Sequence, residues 1–345
     1  MRSNSSLSPL DEVYLKRALQ LAQRAFPSKV EPNPPVGAVI AVGETIIGEG
    51  YHHYFAGPHA EIEALQSVRE THRLPQATMY ITLEPCCHSR KKTPPCVPAI
   101  VKAGIRRVVI GTIDPNPHVR GEGIKQLEEN GIEVLLAPDP KPFRKILRHF
   151  YTNLRYHRPY ITLKWAQTAG PTRRYPFTGG IIGSLEHPKW PISGFWGRVW
   201  AHRLRATHSH IAVGYRTWQL DKPALTTRTF PGGDPQRIVF CNQRCSLVES
   251  EEALFYPLSK INRATLRDLY EKYRVGSLLV EGGATTLNAF LAAGIYDEVH
   301  IIVSYHAEPS PSGRSVLAPT WPPLQWRKKR LSPTEELWIA RKKET

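Results

Sequence analysis

The run Ala137-Pro138-Asp139-Pro140-Lys141-Pro142 constrains this chain more than any other feature. Three prolines in six residues fix φ and remove backbone donors, so neither a central strand nor a helix interior can run through it. The 345 residues suit such a division, since a single core stops growing at roughly 250–300 residues. A basic helical stretch from Phe143 to about Tyr156 follows the break. We place the boundary near residue 150 and expect two domains, 1–150 and 151–345.

Both halves alternate strands with helices, the pattern of α/β layers whose sites gather at strand carboxyl ends. Ser8-Pro9-Leu10-Asp11 reads as a capped helix start, followed by the apolar face of Leu15, Ala18, Leu19 and Ala22. A hairpin follows, from Val36–Val42 through Gly43-Glu44 to Ile46 and Ile47, then a helix over Pro58–Val68 and a strand over Met79–Leu83. A helix over Pro95–Ala103, stopped by Gly104, and a strand over Arg106–Ile113 complete the half. Beyond the break, Tyr160–Trp165, Ser209–Val213, Arg237–Cys241, Ser277–Val280 and Glu298–Val303 read as strands. The Gly/Pro-rich stretch 170–197 reads as an irregular excursion.

Three of the five cysteines lie within eleven residues, Cys86, Cys87 and Cys96, beside His88. Such clustering points to a metal site rather than a disulfide scaffold, and Cys241 and Cys245 read as ordinary thiols. His59-Ala60-Glu61 opens a helix behind Gly57-Pro58, Cys86 follows a strand, and Cys96 starts another helix. One imidazole and two thiolates leave a fourth zinc position for water, whose pKa zinc brings toward ~7. Glu61 is then the unligated carboxylate that carries a proton from water to departing ammonia. His-x-Glu followed by Pro-Cys and a later Cys is the pattern of zinc base deaminases. A structural zinc with His88 or Cys87 as fourth ligand is the other reading.

The formal charge of +16 fits phosphorylated small molecules, solvated surface or nucleic acid. Basic residues occur in short runs, Arg90-Lys91-Lys92 and Arg327-Lys328-Lys329-Arg330, without a long tract, so nucleic acid stays a secondary reading. No stretch approaches the ~18 apolar residues of a membrane span, and Met1–Pro9 is polar. A cytoplasmic protein without membrane partners is expected. In the second half, Val275–Gly283 leads into Ala284–Ala293 as strand, diglycine turn and helix start. That is either a phosphate-binding terminus or a plain turn.

These segments together resemble the bifunctional deaminase/reductases of riboflavin biosynthesis over nearly the whole length. The match rests on Asn33-Pro34-Pro35-Val36-Gly37, Gly50-Tyr51-His52, Gly57-Pro58-His59-Ala60-Glu61, Glu84-Pro85-Cys86-Cys87-His88, Lys92-Thr93-Pro94-Pro95-Cys96 and Asp114-Pro115-Asn116-Pro117. In the second half it rests on Trp190, His202–Ala206, Gly214, Thr217 and Asp221–Arg228. The resemblance implies a cytidine-deaminase-like three-layer α/β domain followed by a dihydrofolate-reductase-like α/β domain. It implies one zinc per chain on His59, Cys86 and Cys96, Glu61 as proton donor, and a pyrimidine pocket of Asn33, His52, Lys92, Thr93, Asp114 and Asn116. In the reductase it implies substrate contacts from Arg205, Leu225, Arg228 and Glu281. NADPH would be held by Trp190, Thr217, Asp221, Gly283, Ala284, Thr285 and Thr286, and the chain would be a homo-oligomer. The implied chemistry is hydrolysis of the 2-amino group of 2,5-diamino-6-ribosylamino-4(3H)-pyrimidinone 5′-phosphate, then reduction of ribosyl to ribityl. Nucleobase and tRNA deaminases place their thiolates in Cys-x-x-Cys, whereas position 89 here is Ser. Two departures stand out. The ligand cysteines lie ten apart rather than nine, which leaves Cys87 as an alternative to the preferred Cys86. The Ser-x-Asp-Gly segment appears as Thr168-Ala169-Gly170, without its aspartate, so a deaminase with a degenerate second domain is one alternative function, and a nucleic-acid base deaminase that uses the positive charge is the other.

Overall fold

The computed structural model describes residues 7–87, 94–117, 119–173, 175, 177, 179–184, 192–241, 248–257, 260–306 and 315–342. The chain divides into two compact units, Met1–Tyr156 and His157–Thr345.

The first unit runs α1 (Pro9–Ala22), α2 (Pro27–Val30), β1 (Gly37–Val42), β2 (Thr45–Tyr51), α3 (Ala60–Ser67), β3 (Thr78–Ile81), α4 (Cys96–Lys102), β4 (Arg107–Ile110), α5 (Glu122–Glu129), β5 (Glu133–Leu136), α6 (Lys141–Ile146) and α7 (Arg148–Tyr156). Ser8 caps α1 in a reciprocal capping box with Asp11. Among the described residues the strands form one sheet in the order β2-β1-β3-β4-β5, antiparallel across β2-β1-β3 and parallel across β3-β4-β5. Strand alternation divides its side chains between two cores. Val39, Ala41, Tyr80 and Val109 meet Tyr14, Leu15 and Ala18 of α1 and Phe143 of α6. Ala38, Ile40, Met79, Ile81 and Val108 meet Ala60 and Ala64 of α3, Ile100 of α4 and Leu127 of α5. The result is the expected three layers. The basic stretch read as one helix is two, broken at the fully buried Leu147.

The second unit runs β6 (Tyr160–Thr168), β7 (Ile181–Ser184), α8 (Phe195–Ala206), β8 (His210–Gly214), α9 (Tyr215–Asp221), β9 (Gln236–Cys241), β10 (Val248–Glu249), β11 (Leu254–Pro257), α10 (Arg263–Tyr273), β12 (Ser277–Glu281), α11 (Ala284–Ala293), β13 (Glu298–Ser304), β14 (Ser315–Leu317), β15 (Trp326–Ser332) and β16 (Glu335–Arg341). Its main sheet has the order β10-β11-β9-β8-β12-β6-β13-β16-β15 among the described residues, with β11 through β13 parallel. Residues of β12 and β13 are buried along their whole length, as parallel strands covered on both faces must be. Ile161, Leu163, Leu278, Val280 and Ile301 pack with Leu266 and Leu269 of α10 and Leu287 and Phe290 of α11. Ile211, Val213 and Leu279 pack on the other face with Leu204 of α8.

Two expectations change here. The stretch 170–197 is not wholly irregular: β7 pairs antiparallel with β14, and α8 already begins at Phe195. Phe177 in the same stretch is buried against Trp321 and Trp338, aromatic packing that local periodicity does not encode. Cys241, expected as an ordinary thiol, ends β9 buried and is disulfide-bonded; Cys245 lies outside the described residues.

Candidate active sites

In the first unit α3 lies close against β2 because Gly48 and Gly50 carry no side chain. A Cβ at Gly50 would stand 2.4 Å from Ala64 N and 2.6 Å from Ala60 O. Pro58 precedes the helix rather than opening it, and His59 is the N-cap, in extended conformation. Its imidazole is thereby delivered at the helix mouth, while Glu61 falls in the first turn and is buried. Cys86 follows β3, and Cys96 is the first residue of α4, its N–H donating to Cys86 O at 3.0 Å.

His59, Cys86 and Cys96 present one ligand atom each within 4.8 Å of one another. His59 Nδ1 lies 3.2 Å from Cys96 Sγ and 3.5 Å from Cys86 Sγ, and the two sulfurs are 3.7 Å apart. Zn–S bonds of about 2.3 Å and Zn–N bonds of about 2.0–2.1 Å give tetrahedral edges of roughly 3.8 Å between sulfurs and 3.6 Å between sulfur and nitrogen. The three donors therefore fit zinc with one position left over. Cys87 is outside this group and packs at the edge of the core. Burial raises the Glu61 carboxyl above the ordinary glutamate range, against the pull of His59, and its side chain hydrogen-bonds Cys96.

A cavity of about 280 Å³ opens onto these groups, lined by Asn33, His52, Phe55, Glu61, Cys86 and Asp114 among others. His52 is buried. Its Nδ1 faces the Pro58 carbonyl at 2.9 Å and its Nε2 faces Asn33 Nδ2 at 3.0 Å. A carbonyl accepts only, so Nδ1 carries the proton and Nε2 accepts from the Asn33 amide. Asn116 stands beside Asp114, its N–H donating to Asp114 Oδ1 at 2.8 Å. Lys92, Thr93 and His88 lie outside the described residues.

Sequence reading missed Glu84, which it used only as a flank of Cys86. This buried side chain accepts four backbone N–H groups: Asp114 at 3.1 Å and Gly121 at 3.0 Å on Oε2, Gly123 at 3.0 Å and Ile124 at 3.3 Å on Oε1. It ties the Asp114 loop and the first turn of α5 to the strand end that carries Cys86. A Glu-Pro-Cys run gives no local signal of partners 30 to 40 residues away.

In the second unit β8 and β12 are parallel neighbours; β8 ends in Gly214 and β12 runs on into Gly282-Gly283, each at a helix start. Gly282 and Gly283 have φ of +84° and +66°, where L side chains are strained. A Cβ at Gly283 would lie 3.1 Å from Thr217 Oγ1, and one at Gly214 2.7 Å from Thr286 Oγ1. Gly283 is the N-cap of α11, so the first backbone N–H groups of that helix, with Ala284 and Thr285, open at this strand-to-helix turn. Asp221 closes α9. Trp190 lies outside the described residues.

Beside the turn, Glu281 ends β12 in a buried ion cluster. Arg205 donates from Nε and Nη2 to its two oxygens at 3.1 and 2.7 Å and from Nη1 to Thr226 O at 3.0 Å. Lys164 Nζ lies 3.9 Å from Glu281 Oε2; this lysine too escaped sequence reading. Burial raises the Glu281 carboxyl, but Lys164 and Arg205 outweigh it and hold it at about 2. Burial lowers the Lys164 ammonium, against Glu281. Leu225 is buried with φ +54°, a backbone a bulky residue adopts only where its surroundings impose it. Arg228 is exposed, and its Nη1 donates to Thr226 Oγ1 at 2.8 Å. At Thr168-Ala169-Gly170 the aspartate's place is taken by a buried alanine whose N–H donates to Ser304 O at 2.9 Å.

Comparison with known proteins is consistent with both sites. Residues 8–112 match the family of the cytidine and deoxycytidylate deaminase zinc-binding region, and residues 159–304 match the RibD C-terminal domain. The riboflavin biosynthesis protein RibD of Aquifex aeolicus is 34% identical over 322 residues, 86% of this chain and 87% of its own. That of Escherichia coli is 33% identical over 333 residues, covering 85% and 87%. Among solved structures, a diaminohydroxyphosphoribosylaminopyrimidine deaminase/5-amino-6-(5-phosphoribosylamino)uracil reductase from Thermotoga maritima aligns with TM-score 0.77 and 33% identity, covering 96% of this chain and 98% of its own.

Proposed function

The chain belongs to the RibD family of riboflavin-biosynthesis deaminase/reductases, and from that premise we propose how its residues divide the two reactions. The first unit hydrolyses the 2-amino group of 2,5-diamino-6-ribosylamino-4(3H)-pyrimidinone 5′-phosphate; the second reduces the ribosyl group of the product with NADPH. His59, Cys86 and Cys96 would hold zinc, which when bound would supply a Lewis acid able to make water nucleophilic near neutral pH. Glu61 takes a proton from the attacking water and passes it to the departing ammonia. A carboxyl raised by burial is suited to that, since it can hold the proton between the two steps. Asn33, His52, Asp114 and Asn116 orient the pyrimidine, with His52 locked in one tautomer by Pro58 and Asn33. Lys92 and Thr93 complete the pocket by resemblance alone.

In the second unit the Gly283–Thr286 turn, Thr217 and Asp221 seat NADPH, with Trp190 assigned by resemblance, and the cofactor supplies the hydride. Glu281 and Leu225 face the substrate. Three of the five donors of Arg205 are engaged by Glu281 and Thr226, so Arg205 holds Glu281 in place and keeps two N–H groups for the substrate. Arg228, exposed and with donors left over, is the better phosphate ligand of the two. The described residues contain no helix long and apolar enough to cross a membrane, and a cytoplasmic homo-oligomer remains part of this proposal.

The observation that carries the deaminase reading is the triplet of donors at tetrahedral spacing beside a buried, unligated carboxylate. Glu61→Gln keeps the shape and removes the proton carrier. We expect one zinc per chain by elemental analysis in both proteins, and ammonia release slowed by about 10²–10⁴-fold in the variant. Unchanged turnover would remove Glu61 from the reaction.

A further inference from the structure

Two segments that line the deaminase cavity are tied to each other through their backbones: His52 N–H donates to Val36 O at 3.0 Å, and Phe55 N–H donates to Lys29 O at 2.8 Å. The second segment closes as a tight turn, with Gly57 N–H donating to Tyr54 O at 3.0 Å. Ala56 sits in this turn with φ +62°, a left-handed backbone that costs a non-glycine residue free energy and that recurs at ligand clamps. The Tyr54 ring is exposed and packs over Gly57, where an added Cβ would stand 2.7 Å from it. Phe55, by contrast, is half-buried and lines the cavity that also holds His59, Glu61 and Cys86.

A pyrimidine has a polar edge and two flat faces, and the cavity offers surface for both. Asn33, His52, Glu61 and Asp114 line it with hydrogen-bonding groups suited to the edge. Of its described apolar lining residues, Pro34, Val36, Phe55, Ala56, Ala60 and Leu83, only Phe55 carries an aromatic ring. A ring borne on a turn that is already fixed has little backbone freedom left to lose when a heterocycle lies against it. We propose that Phe55 stacks on the pyrimidine of the deaminase substrate and covers one of its faces, a role that rests on reading this cavity as the deaminase site. Stacking asks only for a flat π-face, so Phe55 supplies affinity while the polar lining groups decide which pyrimidine is accepted. The same contact is made before and during attack on the ring, so it acts through KM rather than kcat.

Removing an aromatic ring from beneath a base weakens binding by about 5- to 150-fold. Phe55→Ala should therefore raise the KM of ammonia release by such a factor, while kcat, zinc content and melting temperature change little. Phe55→Tyr, which keeps the ring, should recover most of the KM; Phe55→Leu, apolar but not flat, should recover only part. Phe55→Trp reads the contact directly. All eight native tryptophans lie between residues 165 and 338, outside the first unit, so this variant gives that unit its sole indole. In a Glu61→Gln background that blocks turnover, the diaminopyrimidine phosphate should quench the added emission, and Glu61→Gln alone should not respond in this way. A KM for Phe55→Ala within about two-fold of wild type, full recovery by Phe55→Leu, a loss confined to kcat, or an indole at position 55 unchanged by saturating substrate would each overturn the stacking role. Turnover undiminished in Glu61→Gln would instead undo the reading of the site; turnover that needs Glu61 but ignores Phe55 would remove only the ring.

Discussion

Replacing Glu84 by glutamine changes one oxygen into an amide nitrogen and leaves the volume of the side chain nearly intact. Whichever oxygen is replaced, two of the four backbone N–H groups that Glu84 accepts then face another donor. Hydrogen bonds to a charged group contribute about 1.5–3 kcal/mol each, so two lost bonds amount to about 3–6 kcal/mol if the backbone stays in place. The donors belong to the Asp114 loop and to the start of α5, which can move away from the strand end. Part of the cost should therefore appear as local opening and the rest as lost global stability. Urea unfolding should show a loss of a few kcal/mol, amide exchange at Gly121 and Gly123 should accelerate, and the KM of ammonia release should rise at least ten-fold. Zinc content should hold, because His59, Cys86 and Cys96 do not depend on those four bonds. An unfolding free energy within about 0.5 kcal/mol of wild type, together with an unchanged KM, would refute the clamp.

Glu281 has a folded pKa of about 2, below its ordinary value of 4.5. Its contribution is therefore fully present above pH 4.5 and is lost as pH falls through about 2. The shift corresponds to about 3 kcal/mol at 1.36 kcal/mol per unit, so the second unit should lose stability over that window in acid titrations followed by circular dichroism, and Glu281→Gln should flatten the loss. Gly50→Ala should push α3 off β2, since the nearest atoms to the new Cβ are backbone. About 1–3 kcal/mol of stability and much of the zinc should be lost with it, read by thermal melts and metal analysis; full zinc retention would mean that α3 tolerates the shift.

Much of the candidate chemistry is local in the sequence. Ser8 and Asp11 are three residues apart, as a capping box requires; the alternating apolar residues of β1 sort themselves onto two faces; and Gly282-Gly283 follows a strand and precedes a helix. In each case the interacting groups are neighbours in the chain, so backbone geometry alone relates them. His59, Cys86 and Cys96 were legible for another reason: the chemistry of zinc restricts which residue types can meet, even when 37 residues separate them. Cys86 was already preferred over Cys87 because it directly follows Glu84-Pro85, but only packing shows which of two adjacent residues reaches the imidazole, and it is Cys86 that stands beside His59. Glu84 and Lys164 were hidden for the same reason. Nothing beside Glu84 in the sequence names Gly121 or Ile124, and Lys164 and Glu281 meet only because β6 and β12 pair in register.

By itself, then, the sequence pointed to two α/β units, the candidate zinc donors and the glycine turn, since each depends on residue type and short-range spacing. It set the boundary near residue 150, whereas the proline run lies inside a first unit that extends to Tyr156 with Phe143 in its core. The tertiary structure decided which charges are buried and which donors are already engaged. Those properties depend on what the fold brings alongside from distant parts of the chain, and burial then sets their energies.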